Sequence, residues 1–353
     1  MYGLVKDSDR VGYELKEDLV KPSVAADNQV VIKCKYVAIC GSDIPLYKYD
    51  EVGRSICTLP FTPGHEVAGV VVEAGAKSGF AVGDHVSVET HIPCEDCYCC
   101  RDDRGLKGIC ADMGMFGHGG KTQHGGLAEY CLADSRYVFR LDKSIPLQVG
   151  AMFEPFGVAH NAVEEAQVTA DSEVLVTGCG PIGLFCVELL TKVFKVAKVV
   201  VMDIAENRLQ AALDAGAHAG IKSLDEVSSV LPDGPSTIIE CSGAPPVVNQ
   251  CFQTCRKGGT VVFVGLPKAP LHVDTPIQNF LLRCLTVRSI HGRKIFHTWE
   301  SVHDLVTSKK VDLQQFITHT YSIDQFDEAM DKLMSGTAVK VLIDVEGRKK
   351  RKR

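Results

Sequence analysis

Three groups of residues in this sequence have the types and spacing to do chemistry. Cys94, Cys97 and Cys100 step by three, and Cys110 follows ten residues later. Four thiolates in one short lobe suit a closed tetrahedral zinc, which holds a loop together and leaves no open position for a substrate. A redox pair or unrelated thiols are the alternatives, and Cys99 in the same run takes no role. The second group is Gly178-Cys179-Gly180-Pro181-Ile182-Gly183, a G-x-G-x-x-G set followed by an acid, Asp203, 20 residues after its last glycine. In isolation such a set reads as a flexible loop. Between a strand and a helix, with an acid at that distance, it reads as a dinucleotide site. The glycines let backbone and pyrophosphate approach, and the helix N-terminus offers unpaired N–H groups to the phosphates. Asp203 can accept from both ribose hydroxyls and would repel a 2′-phosphate, which favours NAD over NADP. Arg208 would stack on the adenine or, alternatively, bind that phosphate. The third group is scattered: Cys40 beside a glycine turn, His65 and Glu66 at the head of an apolar run, and Glu154 before Pro155. Each has an ordinary structural reading, as a small core thiol, a structural imidazole or a helix-start acid. Together, in one β-rich region next to a dinucleotide site, they suggest a catalytic metal.

The elements that must position these groups can be read from hydrophobic period. Residues 173–177 and 198–202 are short β-branched apolar runs of the kind that become buried parallel strands, and 184–194 has the spacing of a helix. Further strands are expected at 217–221, 236–244, 259–266 and 285–292, with a helix over 206–215. Strands alternating with helices imply a doubly wound parallel sheet with ligands at the strand C-termini. Ahead of it, 29–35 alternates like a half-buried strand, and 62–73, 80–88 and 126–132 read as further strands. Residues 111–127 are glycine-rich and read as a loop. Helices are expected over 299–308 and 323–334, and a closing strand over 339–344.

The chain has 353 residues, enough for two domains with real cores, and a net charge of −6 that gives no reason to expect a nucleic-acid partner. No apolar run has membrane-spanning length and residues 1–7 lack a signal-peptide core, so a cytoplasmic protein without a membrane partner is expected. Fifteen cysteines in such a chain point to metal rather than to a disulfide scaffold. The basic end, 347–353, reads as a solvated tail, or else as an import or acidic-partner signal.

These pieces, in this order, resemble the zinc-dependent medium-chain alcohol dehydrogenase superfamily. The resemblance runs through Gly64-His65-Glu66, the four-cysteine lobe, the glycine set and the strand ends. It is strongest to the branch holding sorbitol and other polyol dehydrogenases and L-threonine 3-dehydrogenase, through Glu89-Thr90-His91-Ile92-Pro93-Cys94 and Phe153-Glu154-Pro155-Phe156-Gly157. It implies a GroES-like β-rich catalytic domain over 1–157 and 293–353, and a Rossmann NAD-binding domain over 158–292. It implies that Cys40, His65 and Glu66 hold the catalytic zinc with Glu154 as an occasional fourth ligand, and that Cys94, Cys97, Cys100 and Cys110 hold the structural zinc. The last gap in that lobe is two residues longer than is usual in the family. Cofactor contacts carry over onto Ile182, Asp203, Arg208, Val264, Gly265, Leu266, Ile290 and His291, besides Gly178, Gly180 and Gly183. The implied activity is NAD-dependent oxidation of a secondary alcohol of a small polar substrate to a ketone, by a homotetramer or homodimer. L-Threonine is the first candidate, with a polyol, cyclitol or sugar-alcohol phosphate as the alternative and a redox-inert NAD-binding protein as a remote one. Ser42 would take the proton, and His91 matches a position used near the substrate. A histidine that carries the proton onward in many relatives is replaced here by Pro45, as in some relatives that act on sugar-alcohol phosphates.

Overall fold

The computed structural model describes residues 1–102, 105–120, 124–267 and 269–348. The basic tail from Lys349 onward, and 121–123 of the glycine-rich stretch, lie outside them. The chain divides into two compact units, Met1–Pro155 with Lys294–Arg353, and Phe156–Arg293.

The first unit is built on the strand β1 (Gln29–Ala38), whose Val30, Ile32, Cys34 and Val37 are fully buried. The alternation expected over 29–35 holds only from Ile32 to Lys35, because Val30, Val31 and Ile32 are all buried in succession. β1 pairs antiparallel with β2 (Glu66–Ala74), and their register sets Ala38 opposite Glu66. Cys40, just beyond the end of one strand, is therefore brought to the start of the other. Between them, the short helix α1 (Asp43–Lys48) tolerates Pro45 because a first-turn N–H has no helical partner. β3 (His85–Val88), β4 (His91–Ile92), β5 (Tyr130–Asp134) and β6 (Val138–Arg140) follow. β3 extends the sheet from β2, β6 pairs β3, and β5 pairs the first half of β1.

The second unit is a six-stranded parallel sheet. Its strands are β7 (Glu173–Thr177), β8 (Lys198–Met202), β9 (Ala219–Ile221), β10 (Thr237–Glu240), β11 (Thr260–Phe263) and β12 (Thr286–Ser289). They lie side by side in the order β9-β8-β7-β10-β11-β12. Chain order reverses between β7 and β10, which is where a doubly wound sheet opens a crevice for its ligand. Val174, Leu175, Val199, Val200, Ile238 and Val261 are fully buried, as strands covered on both faces must be. After β7 comes α2 (Pro181–Glu188), started by a proline whose missing N–H costs nothing at that position. The helix read over 184–194 is α-helical only to Glu188. Leu189–Phe194 widens into π-type turns, where the Thr191 hydroxyl donates to the Val187 carbonyl at 2.8 Å and bends the ladder.

The chain then returns to the first unit through α3 (His297–Thr307), β13 (Ile317–Ser322), α4 (Phe326–Met334) and β14 (Lys340–Asp344). β14 pairs antiparallel with the second half of β1 and parallel with β13, closing the sheet order β13-β14-β1-β2-β3-β6. Val341, Leu342 and Ile343 are fully buried there. Among the described residues no helix is long and apolar enough to cross a membrane.

Candidate metal centre and cofactor site

In the first unit, ligand atoms of Cys40, His65 and Glu66 all lie within 4.8 Å of one another. A thiolate, an imidazole and a carboxylate are a donor set that zinc accepts, with a fourth position left for substrate. His65 is oriented from behind. Its Nδ1 lies 3.4 Å from Asp43 Oδ1, which leaves Nε2 as the metal-facing atom, while Asp43 Oδ2 accepts the Cys40 N–H at 2.8 Å. One carboxylate thus fixes two ligands. Burial opposes charge on both, yet Asp43 raises the His65 pKa and His65 lowers that of Asp43. The Ser42 hydroxyl stands 3.4 Å from His65 Nε2.

Glu66 is fully buried and meets Lys340 at the head of β14, whose Nζ lies 2.7 Å from Oε1 and 2.5 Å from Oε2. Burial pushes the Glu66 carboxyl up and Lys340 pulls it back. Glu154 is buried but stands outside the 4.8 Å group. Its Oε1 accepts the Thr90 hydroxyl at 2.9 Å, and the same hydroxyl lies 3.1 Å from the His65 carbonyl. His91 is buried and held by Glu89, whose Oε1 accepts the His91 N–H at 2.8 Å and lies 3.2 Å from its Nδ1. Glu89 Oε2 in turn accepts the Trp299 indole N–H at 2.6 Å, tying the start of β4 to α3. His118, unmarked by spacing, packs its ring 5.3 Å from that of His65. Burial, with His65 beside it, pushes its pKa down to about 4.

The four sulfurs of Cys94, Cys97, Cys100 and Cys110 form the second cluster. Cys97 Sγ lies 3.5 Å from that of Cys100 and 3.7 Å from that of Cys110, and Cys94 Sγ lies 3.9 Å from that of Cys100. A tetrahedron of sulfurs ~2.3 Å from a central zinc has edges of about 3.8 Å, so these side chains fit the ion. Backbone N–H groups of Cys94 and Asp112 point at Cys110 Sγ and that of Cys97 at Cys94 Sγ, at 3.2, 3.4 and 3.3 Å; such contacts lower the Cys94 pKa, while at Cys110 burial outweighs them and raises it. Cys99 is buried and all described cysteines are free.

In the second unit the glycine set is the turn from β7 into α2. Gly178 has φ +84°, and a side chain there would meet Ser242 at 2.9 Å. A Cβ on Gly183 would lie 2.0 Å from the Gly178 carbonyl oxygen. On Gly180, the residue before the helix, it would meet no atom within 4 Å. The first and third glycines are required by the fold. The middle one leaves room for something the chain does not supply, as a pyrophosphate cradle must. Ile182, in the first turn of α2, is half-buried. Asp203 is buried at the end of β8, with Oδ2 accepting the Cys179 N–H at 2.8 Å and Oδ1 the Ala205 N–H at 2.9 Å. Arg208 reaches to 3.9 Å of that carboxylate. Val264 and Gly265 follow β11, both donating to the Glu240 carbonyl, and Leu266 is 75% exposed. Ile290 and His291 follow β12. Sequence spacing did not single out the Glu240 side chain, fully buried at the end of β10. It accepts from Ser242 N–H, Gly243 N–H and the Thr177 hydroxyl at 2.8, 3.0 and 3.3 Å, fixing the loop at the switch point.

Residues 26–143 match the model of the alcohol dehydrogenase GroES-like domain, and 181–308 that of the zinc-binding dehydrogenases. L-Threonine 3-dehydrogenase of Deinococcus deserti is 33% identical, over 99% of this chain and 100% of its own length. The Pyrococcus abyssi protein of that name is 35% identical over 97% and 98%. The crystal structure of galactitol-1-phosphate dehydrogenase from Escherichia coli superposes with a TM-score of 0.87 at 26% identity, covering 98% of this chain and 100% of that one. Matches of this length and identity, running through both units, establish that the chain belongs to the zinc-dependent medium-chain alcohol dehydrogenase family.

Proposed function

We propose that this protein is a cytoplasmic, NAD-dependent dehydrogenase that oxidises the secondary alcohol of a small polar substrate, L-threonine first, to a ketone. The observation that carries this reading is the convergence of Cys40, His65 and Glu66 within 4.8 Å, with the Ser42 hydroxyl 3.4 Å from the imidazole. In it, the first unit is the catalytic domain and the second the cofactor domain. Zinc, when bound by this trio, supplies a Lewis acid that lowers the pKa of an alcohol, and NAD supplies the hydride acceptor. The chain's own residues do the rest. Ser42 accepts the alcohol proton and passes it on, by water because Pro45 cannot carry it. Asp43 keeps His65 and Cys40 aimed. Thr90 holds Glu154 near the trio, as an occasional ligand, and Glu89 fixes His91 for substrate contact. Gly180 and the start of α2 take the pyrophosphate, Asp203 the adenosine ribose, and Arg208, Val264, Leu266, Ile290 and His291 complete the cradle. The cysteine lobe holds one structural zinc per chain.

The partner implied for the whole chain is a second copy. Among the described residues β12 is an edge strand; its own Val287 is exposed, as are Ile277, Leu281 and Leu282 shortly before it in the chain. An edge of this kind is covered in a stable protein. A polyol or sugar-alcohol phosphate is the second reading, favoured by Pro45 and by the likeness to galactitol-1-phosphate dehydrogenase. Following NADH formation with L-threonine, sorbitol, xylitol, galactitol phosphate and myo-inositol tests both. L-Threonine should give the highest kcat/KM, and NADP should replace NAD poorly. No turnover of any of these alcohols by zinc-loaded protein would overturn the reading.

A further inference from the structure

The residue that stands out beyond this reading is Lys340. Its side chain is 3% exposed, and both oxygens of Glu66, itself 0% exposed, are within 2.7 Å of its Nζ. The fold delivers it there deliberately: Cys40 follows β1, Glu66 begins β2 and Lys340 begins β14, and the Ile39 N–H donates to the Val341 carbonyl. A fixed cation beside a dication site is costly, because the two repel. An apolar residue at the head of β14 would avoid that repulsion and would also save the cost of dehydrating an ammonium. Its presence makes sense for a pocket whose anions need a partner when no metal is there. Without a metal, Glu66 keeps Lys340 as its partner, at 2.7 and 2.5 Å from its two oxygens.

We propose that Lys340 is the resident counter-ion of the metal pocket: it holds Glu66 ready for the ion and competes with the ion for that carboxylate, setting how readily metal is gained and lost. This rests on the reading of Cys40, His65 and Glu66 as a metal site. Lys340 is a positioning residue, acting through Glu66 and not on the substrate.

The test uses full-length protein, stripped of zinc or reloaded with it, as wild type, Lys340→Met, Lys340→Arg and the pair Lys340→Met/Glu66→Gln. Without zinc, Lys340→Met should melt roughly 5–10 °C below wild type, since it strands a buried carboxylate. With zinc it should melt within a few degrees of wild type, and elemental analysis under chelator challenge should show zinc leaving about tenfold more slowly, because its competitor is gone. Lys340→Arg should restore the zinc-free Tm, and so should the double variant, in which no charge is left stranded. Equal losses of Tm with and without zinc, or zinc release unchanged by Lys340→Met, would overturn the proposal and make Lys340 a structural residue. A Lys340→Met chain that folds only with zinc supports it; one that folds in neither state, and is not rescued by Glu66→Gln, overturns it. If wild type itself binds zinc at the cysteine lobe alone, the metal reading has failed instead, and elemental analysis shows that as one ion per chain rather than two.

Discussion

At the scale of single residues, the proposed metal centre depends on how little freedom each of its three side chains keeps. Asp43 restrains Cys40 through its N–H and His65 through its Nδ1, and Lys340 restrains Glu66. Cys40 is the one whose replacement is cleanest, since Ser is nearly isosteric but is not ionised at neutral pH. Cys40→Ser should abolish turnover and lower bound zinc by one ion per chain, while the Kd for NAD, measured by fluorescence titration, stays within about twofold. Activity equal to wild type would remove the metal from the mechanism. For this proposed site, a metal was suggested by thiol, imidazole and carboxylate in one β-rich region beside a dinucleotide site, and its three ligands were named by the family resemblance. Their supporters were not legible. Lys340 is 274 positions from Glu66, and Trp299 is 210 from Glu89. Those contacts follow from which strand or helix lies alongside which, and no spacing encodes them.

At the scale of elements, the turn from β7 into α2 separates folding from binding within six residues. Gly183→Ala places a methyl group on the Gly178 carbonyl oxygen and should cost about 1–3 kcal/mol of stability, seen as a lower Tm. Gly180→Ala meets nothing in the protein, so its Tm should match wild type while KM for NAD rises about tenfold or more. A Gly180→Ala protein with unchanged KM would mean that the pyrophosphate does not rest there. Here the sequence was most informative, because a buried parallel strand, a glycine turn and a helix are contiguous. It was less so for the helix end, where Thr191 competes for a backbone carbonyl and turns a regular apolar period into a wider coil. His118 escaped notice for another reason: in a glycine-rich loop, no periodicity says which way a side chain faces.

At the scale of the whole molecule, the edge that β12 forms among the described residues, and the apolar side chains on it and shortly before it in the chain, predict self-association. Val287→Lys with Leu281→Asp places charge on that edge and should lower the mass seen by light scattering to that of one chain. A wild-type protein that already runs as a single chain would end that reading. The structure divides the chain after Pro155 and again after Arg293; the bounds expected at 157 and 293 came from the family resemblance and not from period. That the last strand belongs to the first sheet was not legible from period alone; the family resemblance supplied it.

The position of β14 has a consequence for how the protein is made. Cys40, His65 and Glu66 leave the ribosome early, but the strand carrying Lys340 comes last, after the whole of the second unit. At about 5–20 residues per second, these three residues wait roughly 15–60 s before their sheet can close. The contiguous second unit has all its strands available before then and can fold while the chain is still tethered. An ion that arrives during synthesis would meet Cys40, His65 and Glu66 before Lys340 is there either to hold Glu66 or to compete for it.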